Sequence, residues 1–244
     1  MPHQHSAATS AEHDDDHDDA NDTATGPAGD DTSAGASGDD TMTGPTGDDT
    51  VGGTAGADDD GDHHDQGAPL AGETLTGTSG ADHLEGGPGP DSLSGGDGDD
   101  RLRGGDGDDT LDGGAGDDTL VTGDGADVLT GGQGHDIFVI KDHLGATEDA
   151  LPHITDFTHG EDRLVFDGDL SLTDGKFASG TADTFDAAVD LARTDLASGH
   201  LGVAAIQVGA DVIVFSGHGH DHHIDSAVVL VGKTLADLGV TPSH

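Results

Sequence analysis

The chain contains no cysteine, tryptophan or tyrosine, and only seven lysines and arginines among 244 residues. Without cysteine it has neither disulfide staples nor thiolate metal sites, although an oxidising compartment stays open to it. Residues 1–100 hold no lysine or arginine at all, and 51 acidic residues bring the formal charge to -44. Nucleic acid and anionic membrane surfaces are themselves negative, so both are disfavoured as electrostatic partners. Divalent cations are the natural counterions. No apolar run reaches the length of a membrane-spanning helix, and the Met-Pro-His-Gln-His start lacks the basic and apolar regions of a secretory leader. H-E-x-x-H and G-x-S-x-G are also missing. The chain opens on a methionine and leaves no room for a separate catalytic domain, so no enzymatic activity is expected.

What the sequence does contain is a phased array. Seven nonapeptides run without a gap from Gly77 to Val139 on the pattern Gly-Gly-x-Gly-x-Asp-x-Leu-x. Position 4 is always glycine, from Gly80 to Gly134. Position 6 is always aspartate: Asp82, Asp91, Asp100, Asp109, Asp118, Asp127 and Asp136. Position 8 is leucine six times and then Phe138. Glycine at positions 1, 2 and 4 permits φ > 0 and close backbone approach, so Gly-Gly-x-Gly-x-Asp reads as a turn. The x-Leu-x that follows reads as a very short strand with one inward residue. A Gly/Asp-rich disordered linker has a similar composition, but it would not keep three positions in phase over seven copies.

The array resembles the RTX (hemolysin-type) calcium-binding repeat, a consensus associated with the parallel β-helix. The resemblance implies a mainly β fold: a right-handed parallel β-roll with two nonapeptides per coil and copy n stacked on copy n+2. It also implies calcium held between stacked loops by oxygen ligands. Those are the seven position-6 aspartates, backbone oxygens of the turn glycines Gly87, Gly89, Gly96, Gly98, Gly105, Gly107, Gly114 and Gly116, and the nearby position-3 carboxylates Asp97 and Asp106. One ion per stacked loop pair gives about five Ca2+. One leucine per nine residues cannot offset the entropy of ordering so many glycines, and stacked carboxylates repel, so folding is expected to depend on the ion. Thr78, Thr122 and the prolines Pro88 and Pro90 depart from the pattern and mark weaker copies. Asp99, Asp108 and Asp117 at position 5 read as outward, solvated charges.

Three regions follow from composition. Residues 1–67 lack Phe, Leu and Ile and read as a disordered acidic tail. Within it four decayed copies persist, with Ser33, Met42, Val51 and Asp60 at position 8. Residues 68–139 form the roll. Residues 140–244 hold every phenylalanine after Phe138 and read as a small α+β region that caps the roll, including one helix from Phe185 to Leu196 N-capped by Asp183 or Thr184. Strands are expected at His153–Phe157, Arg163–Phe166, Val203–Val208, Asp211–Phe215 and Ala227–Val231, and a helical turn at Lys233–Leu238. Residues 154–166 resemble the segment that follows RTX arrays, and 208–238 resemble the bluetail domain of type I secreted proteins. These resemblances imply export by type I secretion machinery to an extracellular location. The histidines near both ends, among them His3, His5, His63, His64, His218, His220, His222 and His223, could bind transition metals, but no spacing organises them. A secreted calcium binder is the favoured function. Calcium-dependent self-assembly at a surface or matrix, and an accessory module of a secreted enzyme, are the alternatives.

Overall fold

The computed structural model describes residues 23–25, 32–35, 39–43 and 50–53, then 72–141, 145, 147–166, 170–172, 177–197, 202–217 and 223–240. The array coils as its period demands. Strands β6 (His83–Pro88), β8 (Arg101–Asp106), β10 (Thr119–Val121) and β12 (Ile137–Ile140) pair in parallel on one side of the coil. Opposite them lie β5 (Thr74–Thr76), β7 (Ser92–Asp97), β9 (Thr110–Ala115) and β11 (Val128–Gln133). Copy n therefore stacks on copy n+2. The strand is longer than x-Leu-x, because β6 to β9 each run through positions 7, 8, 9, 1, 2 and 3. The tight turn is confined to the last three residues of the Gly-x-Asp stretch.

Alternation along those six residues puts position 8 and position 1 inward and positions 7 and 9 outward. One inward row runs Leu84, Leu102, Leu120, Phe138, Leu164, and the other Leu75, Leu93, Leu111, Leu129, Ile154, all in register and fully buried. Each buried leucine contributes about 1.5–3 kcal/mol of hydrophobic stabilisation. Leu75 belongs to an eighth copy that the sequence pattern hides, with Glu73 standing at position 6.

Within residues 1–67, expected to be a disordered tail with decayed copies, the described residues lie in strands. Strands β1 (Thr23–Thr25), β2 (Thr32–Gly35), β3 (Asp39–Thr43) and β4 (Thr50–Gly53) extend the two sheets. Their register keeps the period, Ala24 against Met42 and Ser33 against Val51, and Val51 then meets Leu84. In the other sheet Asp40, not Met42, meets Leu75. The histidines from His3 to His64, and His218, His220 and His222, lie outside the described residues.

Beyond the array the coil continues through β13 (His153–Ile154) and β14 (Arg163–Phe166), the latter followed by the antiparallel β15 (Leu170–Ser171). Strand β13 also pairs with β19 (Ser226–Leu230), so one sheet passes from the roll into β19, β18 (Asp211–Ser216), β17 (Val203–Val208) and β16 (Ala178–Ala182). The C-terminal strands thus prolong a sheet of the roll. One face of that extension, with Val203, Val212, Val214 and Leu230, joins the leucine core of the array. The other face packs Ile206, Ile213, Phe215 and Val229 against Ala188, Ala192 and Leu196 of helix α1 (Phe185–Ala197). Thr184 Oγ1 accepts the Ala187 N–H at 3.3 Å, which makes it the N-cap. At the place of the expected helical turn, Thr234 O accepts the Asp237 and Leu238 N–H groups at 3.0 and 3.4 Å, and residues 235–239 form turns.

Candidate calcium site

Every position-6 aspartate of the array is buried, with 0–3 % of its surface exposed. In six of the seven copies the carboxylate folds inward over the glycine at position 1 of the same copy, the sixth having Thr122 there. At Gly104 an added β-carbon would collide with Asp109 Oδ2, and the same holds for Gly95 with Asp100 and Gly113 with Asp118. Position 1 is thus glycine to seat a carboxylate, and its φ is not positive. Positions 2 and 4 do carry positive φ, as in Gly105 (120°) and Gly107 (131°), each resting on the carbonyl of the glycine 18 residues before it. The single role given to positions 1, 2 and 4 in the sequence reading therefore separates into two.

From Asp91 to Asp136, Oδ1 of each position-6 aspartate reaches back one coil. It accepts the position-6 N–H of the copy below: Glu73 to Asp91 at 2.7 Å, Asp82 to Asp100, Asp91 to Asp109 and Asp100 to Asp118 at 2.8 Å, and Asp109 to Asp127 and Asp118 to Asp136 at 3.0 Å. Asp162 ends one column by accepting the Asp136 N–H at 3.1 Å. Oδ2 has a different fate. In Asp91, Asp100, Asp109 and Asp118 it is buried and has no hydrogen-bond partner. A buried acceptor left unmade costs about 1–3 kcal/mol, and more when charged. Burial accordingly pushes the carboxyls of Asp100 and Asp109 up to about 7 and that of Asp118 up to about 6, against the pull of the backbone N–H, with repulsion from neighbouring aspartates adding to the rise. Asp91 and Asp136 are raised for the same first cause.

A hard cation with oxygen preference fits this set. The four orphaned oxygens are negative, dry and beside carbonyls: Gly104 O lies near the seat of Asp91 Oδ2, and Gly113 O near that of Asp100 Oδ2. Among the described residues no three His, Asp or Glu side chains converge on one point. Backbone oxygens therefore have to complete any coordination shell. Asp97 and Asp106 are exposed, apart from the buried column. The glycines named from the sequence stack in two columns, position 2 on position 2 (Gly87 under Gly105, Gly96 under Gly114) and position 4 on position 4 (Gly89 under Gly107, Gly98 under Gly116).

A second ladder escaped the sequence reading. Asp99, Asp108 and Asp117 are exposed as expected, but each Oδ1 accepts a position-5 N–H from the copy above: Asp117, Ala126 and His135, at 2.9, 2.8 and 2.8 Å. Each Asp-Asp pair thus clips the coil in both directions. The doublets at 99–100, 108–109 and 117–118 were the available signal. Past the array, Asp156 accepts the Gly131 and Gly132 N–H groups at 3.0 and 2.8 Å and closes the last turn.

The family model of the RTX calcium-binding nonapeptide repeat (4 copies) matches residues 25–59, 76–111 and 103–138. Residues 25–59 and 76–138 therefore match RTX repeats, which are calcium-binding repeats. The match takes in β2, β3 and β4 as well as the array. No curated protein matches the chain.

Proposed function

We propose that the chain is a secreted, non-catalytic calcium-binding protein whose roll folds as it takes up calcium outside the cell. The observation that carries this reading is the set of four buried carboxylate oxygens without a donor on Asp91, Asp100, Asp109 and Asp118. Buried charge of one sign, repeated at every coil, opposes folding until it is compensated. Bound calcium would supply that compensation and join the Asp column to neighbouring carbonyls. The chain's own residues do the rest: glycine seats the carboxylate, Oδ1 fixes it through a backbone N–H, and the leucine rows close the interior. Binding free energy then becomes folding free energy.

Export fits the same chemistry. A chain that stays unfolded where calcium is scarce can be threaded through a type I channel, and it would fold where calcium is plentiful. The strands and helix from Ala178 to Leu230 would cap the end of the roll and carry the secretion-associated region. The test is equilibrium dialysis of the full chain with calcium. Binding of about four to five ions, little affected by an equal concentration of magnesium, is expected. Fewer than one ion per chain would overturn the reading.

A further inference from the structure

The position-6 carboxylates of the first six copies occur in two states that follow positions 1 and 2; the seventh copy shares the left-handed position-2 glycine, Gly132 (100°), but its Asp136 is not among the orphaned carboxylates. In the copies of Asp91, Asp100, Asp109 and Asp118, position 2 is a glycine in the left-handed region: Gly87 (110°), Gly96 (112°), Gly105 (120°) and Gly114 (105°). Oδ2 is then left without a donor. In the copies of Asp82 and Asp127, the position-2 N–H turns to the carboxylate of its own copy. Thr78 N donates to Asp82 Oδ2, and the Thr78 hydroxyl lies 3.2 Å from the same oxygen. Gly123 N donates to Asp127 Oδ2 at 3.2 Å, and Gly123 lies outside the left-handed region.

The local sequence explains the difference. A β-branched threonine resists φ > 0, so Thr78 holds the turn in the other form. In the sixth copy Thr122, 1 % exposed, replaces the position-1 glycine on which a carboxylate would otherwise sit. Its hydroxyl is tied to the chain beyond the array, accepting the Lys141 N–H at 3.0 Å. Gly123, free of a β-carbon, nonetheless follows its neighbour into the closed form.

We propose that Thr78 and the Thr122-Gly123 pair are specificity-determining residues that close the first and sixth copies to calcium, leaving the ions to copies with a left-handed position-2 glycine, foremost those of Asp91, Asp100, Asp109 and Asp118. The inference rests on the calcium-binding reading above. An oxygen that already accepts a hydrogen bond from its own turn must surrender it to meet a cation, while an orphaned one surrenders nothing. The threonines thus trade an ion site for a turn that is satisfied without one.

The experiment is a count of calcium bound per full-length chain at saturation, by equilibrium dialysis with radioactive calcium. Asp100→Ala is expected to lose about one ion, Asp82→Ala to lose none, and Thr78→Gly to gain about one. Equal losses from Asp82→Ala and Asp100→Ala would overturn the inference while leaving the calcium reading intact. If Asp82→Ala gives no β structure by circular dichroism, Thr78→Gly decides alone, and no gained ion would overturn the inference. A wild-type chain that binds no calcium would remove the calcium reading itself.

Discussion

Asp91 donates its backbone N–H to Oδ1 of Asp109 at 2.8 Å, across 18 residues of sequence, while its carbonyl accepts the Thr110 N–H at 2.8 Å. A side chain here continues the strand ladder past the point where the strand ends. The same device recurs from Asp91 to Asp136, and in Asp91, Asp100, Asp109 and Asp118 the second oxygen is left buried without a donor.

Removing that support in mid-stack should propagate, because the stability of a solenoid sums repeat and nearest-neighbour terms. Asp109→Ala is expected to raise the calcium needed for half-folding several-fold and to flatten the titration. Asp112→Ala, at an exposed position on β9, is expected to leave the midpoint within experimental error. Circular dichroism during calcium titration compares the two, and equal shifts would contradict a buried ligand column.

Protons should act on the same oxygens. Asp100 and Asp109 at about 7 and Asp118 at about 6 lie above the ordinary 3.8. Between those values the folded chain holds protons that the unfolded chain has released. Stability without calcium therefore rises as pH falls from about 7 towards 3.8, and is lost as pH rises through about 7. Protons then do part of the work of calcium, so the calcium needed for half-folding should move to lower concentration as pH is lowered through the same window. Spectra in EDTA at about pH 8 and about pH 5, with calcium titrations at each, measure both effects; a midpoint independent of pH would contradict them.

The position-1 glycine can be tested separately from turn geometry. Gly104→Ala leaves φ unstrained but places a methyl group on the Asp109 carboxylate. A loss of about 1–3 kcal/mol in the calcium-loaded state is expected, the range for overpacking a tight site. Denaturant unfolding at saturating calcium reads it. A neutral Gly104→Ala would mean that the carboxylate does not sit where the structure places it.

Core and surface of one sheet should differ as their burial does. Leu111 is fully buried, whereas Val128, on the outer side of the neighbouring β11, is 39 % exposed. Leu111→Ala should cost about 2–5 kcal/mol, and Val128→Ala within about 0.5 kcal/mol. Thermal unfolding with calcium present distinguishes them.

Much of this was readable in the sequence because period nine imposes phase. Position 8 pointed to the leucine rows and position 6 to the carboxylate column, and both stand where the repeat places them. Four features were hidden because each depends on contacts between coils. Glu73 and Leu75 make an eighth copy without its glycines, so the consensus did not extend to them. Asp99 and its kin looked like surface charges, since only stacking reveals a donor 18 residues away. Strands β1 to β4 hold Ala24 and Met42 in one sheet and Ser33 and Val51 in the other, too weakly apolar to argue for strands by themselves, yet they pair in register with the roll. The joining of β13 to β19 was beyond local pattern altogether, because His153 and Val229 are neighbours only in the finished sheet.

The central claim is that calcium, acting on the buried aspartate column, folds the roll. The most direct measurement is far-ultraviolet circular dichroism of the full chain titrated with calcium, repeated with magnesium, and reversed with EDTA. A cooperative gain of β signal with calcium, little change with magnesium at equal concentration, and full reversal on chelation are predicted. A spectrum already β-rich in EDTA at about pH 8, or one that magnesium reproduces, would contradict the claim.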